Sequence, residues 1–428
     1  MRSLDLPSSI SFLHISGSQL LPFLSRTSLA LCAALLLPAL SLPPTSALEP
    51  NSVAGVFERY ISKTELANPS AIVIDQNTGE IVFEKSANSL RKPASVQKIL
   101  AAVAALTYMQ ASDNFTTTVS LGQRTRTLVI EGDRDPWMSY NHKEAQRLGR
   151  TSIPRIEYNS LSALQEANTE PIEKITIYYT NLFSPELAHI KSFYKKRGIT
   201  ASLKRVNARE ATELKGEEIL TSHSPELQRM LAFLLTWSDN ALTERIARIA
   251  ALKAGESFDE DGVGVIFSGI LESYGINSAP LLVKDASGLS HNNRITVRQV
   301  GSLLQKIRYD PQFAPVVNGL PIGGITGTLK DRFNKTAPEA VGLVKAKTGT
   351  LNGTTNLAGY IESEDREYVF VIIADKHPRT NTAAKRARAT VDRILGKIAA
   401  PLLPQPSPQP VPEAPEVVAV QTEVAAQA

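Results

Sequence analysis

Three short apolar runs near the C-terminal end, residues 341–347, 357–362 and 368–374, follow one another at hairpin spacing. Such runs, rich in β-branched and aromatic residues, read as strands. Near the start, residues 71–75 and 81–84 flank Gln76-Asn77-Thr78-Gly79, a turn signal that makes them a hairpin. Elsewhere the apolar spacing turns helical. Val53, Phe57 and Ile61 recur every fourth residue and predict a helix before Pro69. Ile99, Leu100, Val103 and Leu106 continue a helix that Ser95 opens. Leu227–Trp237 and residues 241–249 form two helices broken at Ser238-Asp239-Asn240, and residues 382–398 form a basic amphipathic one. Shorter strands fall at 116–120, 127–130 and 175–179, with a helix at 186–194. No internal repeat is present.

At 428 residues the chain accommodates two or three domains, or one domain with a large insertion. Hydrophobic residues at 43% and charged residues at 21% exclude wholesale disorder and a multi-span membrane protein. The net charge of +4 is spread thinly apart from small groups such as Lys385, Arg386 and Arg388. Without a basic stripe, nucleic-acid binding is excluded as a class. Residues 28–40 are an apolar core preceded by Arg2 and Arg26 and followed by Thr45-Ser46-Ala47, the layout of a secretory signal over residues 1–47. An uncleaved anchor is the alternative. Cleavage after Ala47 removes Cys32, the sole cysteine, and with it any thiol nucleophile or disulfide. An exported protein of a bacterial periplasm or cell envelope fits this reading. The proline-rich residues 401–428 bury too little apolar surface to order and are expected to be a disordered tail.

Several chemistries lack their signature. No two histidines are close enough in sequence for a zincin pair, and no G-x-S-x-G elbow, Walker or Rossmann glycine pattern occurs. What remains is three strings in one order: Ser95-Val96-Gln97-Lys98, Ser238-Asp239-Asn240 and Lys347-Thr348-Gly349. Singly they are weak. S-x-x-K recurs at Ser89…Lys92 and Ser192…Lys195, and S-D-N at Ser112-Asp113-Asn114. Local context separates the copies: Ser95 heads an apolar helix, Ser238 sits at a break between two helices, and Lys347 ends a strand.

Residues three apart on a helix share a face, so Lys98 reaches the Ser95 hydroxyl from one turn away. A lysine at its ordinary pKa is protonated at neutral pH and is a poor base. Burial and a second cation depress that pKa, and Lys347 is the candidate cation. A free N–H at the helix start and the backbone N–H of Thr350 suit a developing oxyanion. Ser238 and Asn240 are placed to relay a proton and hold a substrate amide. Thr348 and Thr350, beside Lys347, suit a free carboxylate, and Gly349 leaves room for a substrate along the strand.

The three strings together resemble the signature of penicillin-binding proteins and related β-lactamases. Asp285-Ala286-Ser287-Gly288-Leu289-Ser290 with Asn293-Arg294-Ile295-Thr296, Gly327-Thr328-Leu329 with Arg332-Phe333, and Asn356-Leu357-Ala358-Gly359-Tyr360 narrow it. They resemble blocks of the low-molecular-mass class C penicillin-binding type, the D-alanyl-D-alanine carboxypeptidase/endopeptidases. That resemblance implies an α/β fold: a β-lactamase/transpeptidase-like domain, with a five-stranded antiparallel sheet between helices on both faces, interrupted by a smaller mixed α/β insertion. The transpeptidase-like domain is expected over 48–115 and 207–400, and the insertion over 116–206. It further implies acyl transfer through Ser95 on peptidoglycan stem peptides, β-lactam antibiotics as inhibitors, and neither metal, cofactor nor obligatory protein partner. Gly132-Asp133-Arg134-Asp135-Pro136 resembles the family's G-x-D-P turn with one residue added, so Asp135 either corresponds to an aspartate that contacts the cross-link amino acid in some members or belongs to a plain Asp-Pro turn. Two other readings stay open: a β-lactamase, although no E-x-x-L-N string is present, and a non-catalytic envelope protein that binds peptidoglycan.

Overall fold

The computed structural model describes residues 50–364 and 366–400; the expected signal segment with Cys32, and the proline-rich tail, lie outside them. Ten strands occur among the described residues: β1 (Ser70–Asp75), β2 (Ile81–Lys85), β3 (Thr116–Gly122), β4 (Thr127–Gly132), β5 (Lys174–Tyr179), β6 (Thr200–Arg205), β7 (Lys215–His223), β8 (Val344–Leu351), β9 (Thr354–Ser363) and β10 (Arg366–Ala374). They form two five-stranded sheets, one in the order β2-β1-β10-β9-β8 and the other β6-β5-β4-β3-β7.

The first sheet is antiparallel throughout and joins the N-terminal hairpin to the three C-terminal strands. Residues Ser70 to Asp75 of β1 pair with Ile373 to Tyr368 of β10, so the two ends of the described chain share one ladder. Both faces of this sheet are covered, which is why β1 and β10 read as nearly unbroken apolar runs rather than alternating ones. Ile72, Ile74, Val369, Val371 and Ile373 pack on the helices Lys98–Tyr108 and Val297–Ile307. The alternate residues Ala71, Val73, Phe370 and Ile372 pack on Val53, Phe57 and Ile61 of the first helical segment. The C-terminal helix Asn381–Gly396 joins that second face through Val391, Ile394 and Leu395. Period-two alternation thus builds two cores from one strand.

The second sheet is mixed. Pairing is antiparallel for β3 with β4 and β7, and parallel for β4 with β5 and β5 with β6. Its own apolar cluster sets Val119, Ile130 and Ile177 against Ile156, Leu164 and Tyr194 of two helices. Strand β7 belongs to this sheet, so the sheet runs past residue 206, where the sequence pattern places its end. β7 is an edge strand with an exposed Lys-Gly-Glu-Glu start, and it carries no apolar alternation to announce itself.

Phe370 is completely buried on the face covered by the terminal helices. Phe370→Ala is expected to lower stability by about 3–5 kcal/mol, the usual cost of an aromatic deletion in a tight core. Chemical denaturation measures it; a loss below about 1 kcal/mol would mean this face is not packed as described.

Candidate active site

The Ser95 segment is a point of backbone strain. After Pro93, Ala94 takes φ +45°, and Ala94–Gln97 wind as a 3-10 turn before the α-helix Lys98–Tyr108 begins. Ser95 therefore does not open an α-helix; it rides a tighter turn joined to one. A left-handed residue with a Cβ costs about 1–3 kcal/mol and persists only where its surroundings impose it. Here Asn356 Nδ2 donates to the carbonyls of Lys92 and Pro93, both at 2.9 Å, and the Lys92 N–H donates to Asp375 Oδ2 at 3.1 Å. Gly288 presses from the other side: at its φ of +81° a Cβ would stand 1.8 Å from the Ala94 carbonyl oxygen, so no larger residue fits. In a 3-10 turn residues three apart eclipse, and the Lys98 ammonium donates to Ser95 Oγ at 3.1 Å.

Lys98 is completely buried. Besides Ser95 it donates to Asn240 Oδ1 and to the Ser287 carbonyl, each at 2.7 Å. Burial pushes its pKa from 10.5 down to about 8, against the opposing fields of Glu244, Asp285 and Asp239. Burial, rather than a second cation, is thus the leading cause for this lysine. Glu244 holds the Ser287 carbonyl in place: its two carboxylate oxygens accept from the Ala286 N–H at 3.1 Å and the Ser287 N–H at 2.8 Å. Asp285 closes the same loop on itself, accepting from the Gly288 N–H at 2.6 Å and the Leu289 N–H at 3.1 Å.

The Ser238-Asp239-Asn240 break has a local cause. Ser238 ends helix Leu227–Trp237 in the left-handed conformation, φ +62°. Asp239 caps the next helix, Asn240–Lys253, accepting from the Leu242 N–H at 2.9 Å. Asn240 then opens that helix with its amide oxygen on Lys98.

Lys347 lies in the middle of β8 rather than at a strand end, because pairing with β9 continues past it to Leu351. It is completely buried, and its ammonium donates to the Thr348 carbonyl at 3.3 Å. Burial first, then the nearby Lys98 charge, push its pKa well below 10.5. β8 is the edge of the first sheet. Segment 321–323 covers its free side only at the start, where the Gly323 N–H donates to the Val344 carbonyl at 2.8 Å and the Ala346 N–H to the Pro321 carbonyl at 2.9 Å. Strand backbone groups alternate sides, so Thr348 and Thr350 present their N–H and C=O to the side left open. Gly349 admits the close packing of the Ser95 turn: a Cβ there would lie 2.9 Å from the Pro93 carbonyl oxygen.

These parts surround a groove of about 300 Å³ lined by Ser95, Ser238, Asn240, Thr348 and Thr350, with Lys98 and Lys347 buried beneath. The groove also takes in Thr328, Arg332 and Arg388. Asp135 is not part of it. It is completely buried, accepts from the Trp137 N–H at 2.9 Å, and sits in the fields of Arg245 and Glu186, with burial pushing its carboxyl up to about 6. The turn that holds it packs into the protein, away from the residues that line the groove. Three contributors escape sequence reasoning. Glu244 follows Asn240 at helical i,i+4 spacing, a signal that was available. The Ser287 carbonyl is backbone and has no residue signature. Arg388 comes from the C-terminal helix and stands in the sequence only as one of several basic residues.

Comparison with known proteins identifies the family. The model of the D-Ala-D-Ala carboxypeptidase 3 (S13) family matches residues 54–166 and 170–398. The chain belongs to that family. A relative, Carboxypeptidase DacB of Mycolicibacterium smegmatis, is 28% identical over 383 residues, covering 77% of this chain and 82% of the relative. The D-alanyl-D-alanine carboxypeptidase of Actinomadura sp. is 34% identical over 168 residues, 37% of this chain and 30% of its own length. The crystal structure of penicillin binding protein 4 from Haemophilus influenzae superposes with a TM-score of 0.63 over 81% of this chain and 98% of that one, at 16% identity, and shares the fold. The S13 family is one of serine peptidases, so the chain is a hydrolase of the α/β transpeptidase-like class.

Glu244 adds negative field at Lys98 and so holds its proton on. Glu244→Gln removes that field while keeping the side-chain shape, and the Lys98 pKa is expected to fall below its value of about 8. NMR titration of ¹⁵N-lysine-labelled protein reads this directly. An unchanged or higher pKa in the variant would contradict the assignment.

Proposed function

We propose that this protein is an exported serine-type D-Ala-D-Ala carboxypeptidase/endopeptidase that cleaves peptidoglycan stem peptides through an acyl-enzyme on Ser95. The observation that carries the reading is the Lys98 ammonium, buried and within 3.1 Å of the Ser95 hydroxyl, at the floor of an open groove. With a pKa of about 8, about one Lys98 in ten is deprotonated at pH 7 and able to take the hydroxyl proton. Ser95 Oγ then attacks the carbonyl of the scissile D-Ala amide. The oxyanion forms between the backbone N–H groups of Ser95 and Thr350.

As the tetrahedral intermediate collapses, the C–N bond breaks and the leaving amine takes a proton that passes from Lys98 by way of the Ser238 hydroxyl. Asn240 holds both Lys98 and the substrate amide. The substrate lies as an added strand along the open side of β8, against Thr348, Gly349 and Thr350. Lys347 acts from beneath as a charge, since none of it is exposed. Water then takes the place of the amine and hydrolyses the ester, with Lys98 again as base. A β-lactam presents a strained amide to the same oxygen and acylates it. The Haemophilus penicillin binding protein 4 has been solved in complex with a β-lactam, which supports this inhibitor class here. Among the described residues no helix is long and apolar enough to cross a membrane. Export rests on residues 1–47 and on the location of the proposed substrate in the bacterial cell wall.

Two measurements test the reading. Labelled penicillin should acylate the wild-type protein at Ser95 and not Ser95→Ala, while Lys98→Ala should slow acylation by about 10²–10⁴-fold, the usual contribution of a general base. Mass spectrometry of muropeptides after incubation should show loss of one D-Ala from pentapeptides. Label on another side chain, or intact pentapeptide with fully acylated enzyme, would overturn it.

A further inference from the structure

The proposed substrate ends in a carboxylate, and the groove needs a cation that can touch it. Lys98 is engaged with Ser95, Asn240 and Ser287. Lys347 has no exposed surface and donates to a backbone carbonyl. Of the two arginines on the groove wall, Arg332 is already neutralised: it is paired with Asp392, which also accepts from Thr336 Oγ1 at 2.9 Å. Arg388 differs. It is half-buried, lines the groove together with Thr348 and Thr350, and has no carboxylate or carbonyl partner among the described residues.

The surroundings strengthen the case. No aspartate or glutamate lines the groove. Arg388 and Thr350 also line a neighbouring cavity of about 580 Å³, whose wall adds Arg379 and His291 and again no carboxylate. Arg388 thus stands at a cationic end of the groove, beside the threonines that project from the open strand. Burial and the adjacent Arg332 both disfavour its charge, while Asp392 favours it only in part. An anion at this end would relieve that repulsion. A guanidinium offers a planar fork that meets both oxygens of a carboxylate, which a lysine cannot do.

We propose that Arg388 is the contact cation for the free C-terminal carboxylate of the substrate, making it the residue that selects chain-terminal D-Ala over a blocked terminus. The inference rests on the carboxypeptidase reading, and the experiment separates the two. Ser95→Ala protein, which binds but does not react, is titrated by calorimetry with N-acyl-D-Ala-D-Ala and with its C-terminal amide. The same pair is measured on Ser95→Ala combined with Arg388→Gln and with Arg388→Lys. Arg388 intact should favour the acid over the amide by about 10- to 100-fold, as expected for one charge-assisted contact. Arg388→Gln should erase most of that preference by weakening the acid alone, and Arg388→Lys should restore part of it. An acid-to-amide ratio unchanged by Arg388→Gln, in protein whose melting temperature is also unchanged, overturns the proposal. So does a background that shows no preference for the acid. Neither result bears on acylation of Ser95 by penicillin, which judges the carboxypeptidase reading separately.

Discussion

A single buried ammonium organises the site. Lys98 has no exposed surface, and an unpartnered charge in such a place would be costly. Its three acceptors come from three distant stretches of chain: the Ser95 hydroxyl, the Asn240 amide and the Ser287 carbonyl. Satisfying the ammonium therefore fixes the 3-10 turn, the break between two helices and the 285–290 loop relative to one another. All three acceptors are neutral. The carboxylates nearby, Glu244 and Asp285, are spent on backbone N–H groups of the loop and do not touch the lysine. A direct carboxylate partner would have held the proton firmly. Neutral acceptors in front and carboxylates behind leave the proton bound, but loosely enough to be exchanged with Ser95.

The sheet provides the other half of the arrangement. β8 is an edge strand, and edges of this kind are normally blunted or covered. Segment 321–323 covers it as far as Ala346 and then stops. The uncovered part is the stretch that carries Thr348, Gly349 and Thr350. Packing Gly349 against the Pro93 carbonyl brings this open edge to the serine. Fold and site are in this sense one construction: the sheet that joins both ends of the described chain also sets the open strand beside the Ser95 turn.

Much of this was legible in the sequence where local chemistry and local structure coincide. The runs that became β1 and β10 are rich in β-branched residues and buried on both sides, so their pattern survives any reading. Helix Leu227–Trp237 announces both its stripe and its stop. The polar edge strands β6 and β7 were not legible, because half-exposed strands held by a neighbour need no apolar alternation of their own. The 3-10 turn at Ser95 was hidden for a different reason. Its apolar spacing is helical, and what tightens it is the Gly288 loop, nearly two hundred residues away. Asp135 lies in a recognisable turn string, and the sequence does not announce its burial: its carboxylate accepts from the Trp137 N–H and lies in the fields of Arg245 and Glu186.

The two lysines also divide the work in a way that spacing alone does not reveal. Lys98 and Lys347 are both buried, and the charge on Lys98 adds to the burial that already disfavours the charge on Lys347. Two ammonium groups under one groove are a poor device for gripping an anion: both are buried, and the Lys98 charge further weakens the hold of Lys347 on its proton. Lys98, whose proton is loosely held, is suited to proton traffic instead. Anion binding asks for the opposite property, a charge that never titrates, and that is what a guanidinium has. The groove separates these demands in space. Titratable amines lie beneath the nucleophile, and Arg388 of the C-terminal helix, a permanent cation, lines the wall. In the proposed reaction, a substrate bound between them would meet a fixed charge at its end and a mobile proton at its scissile bond.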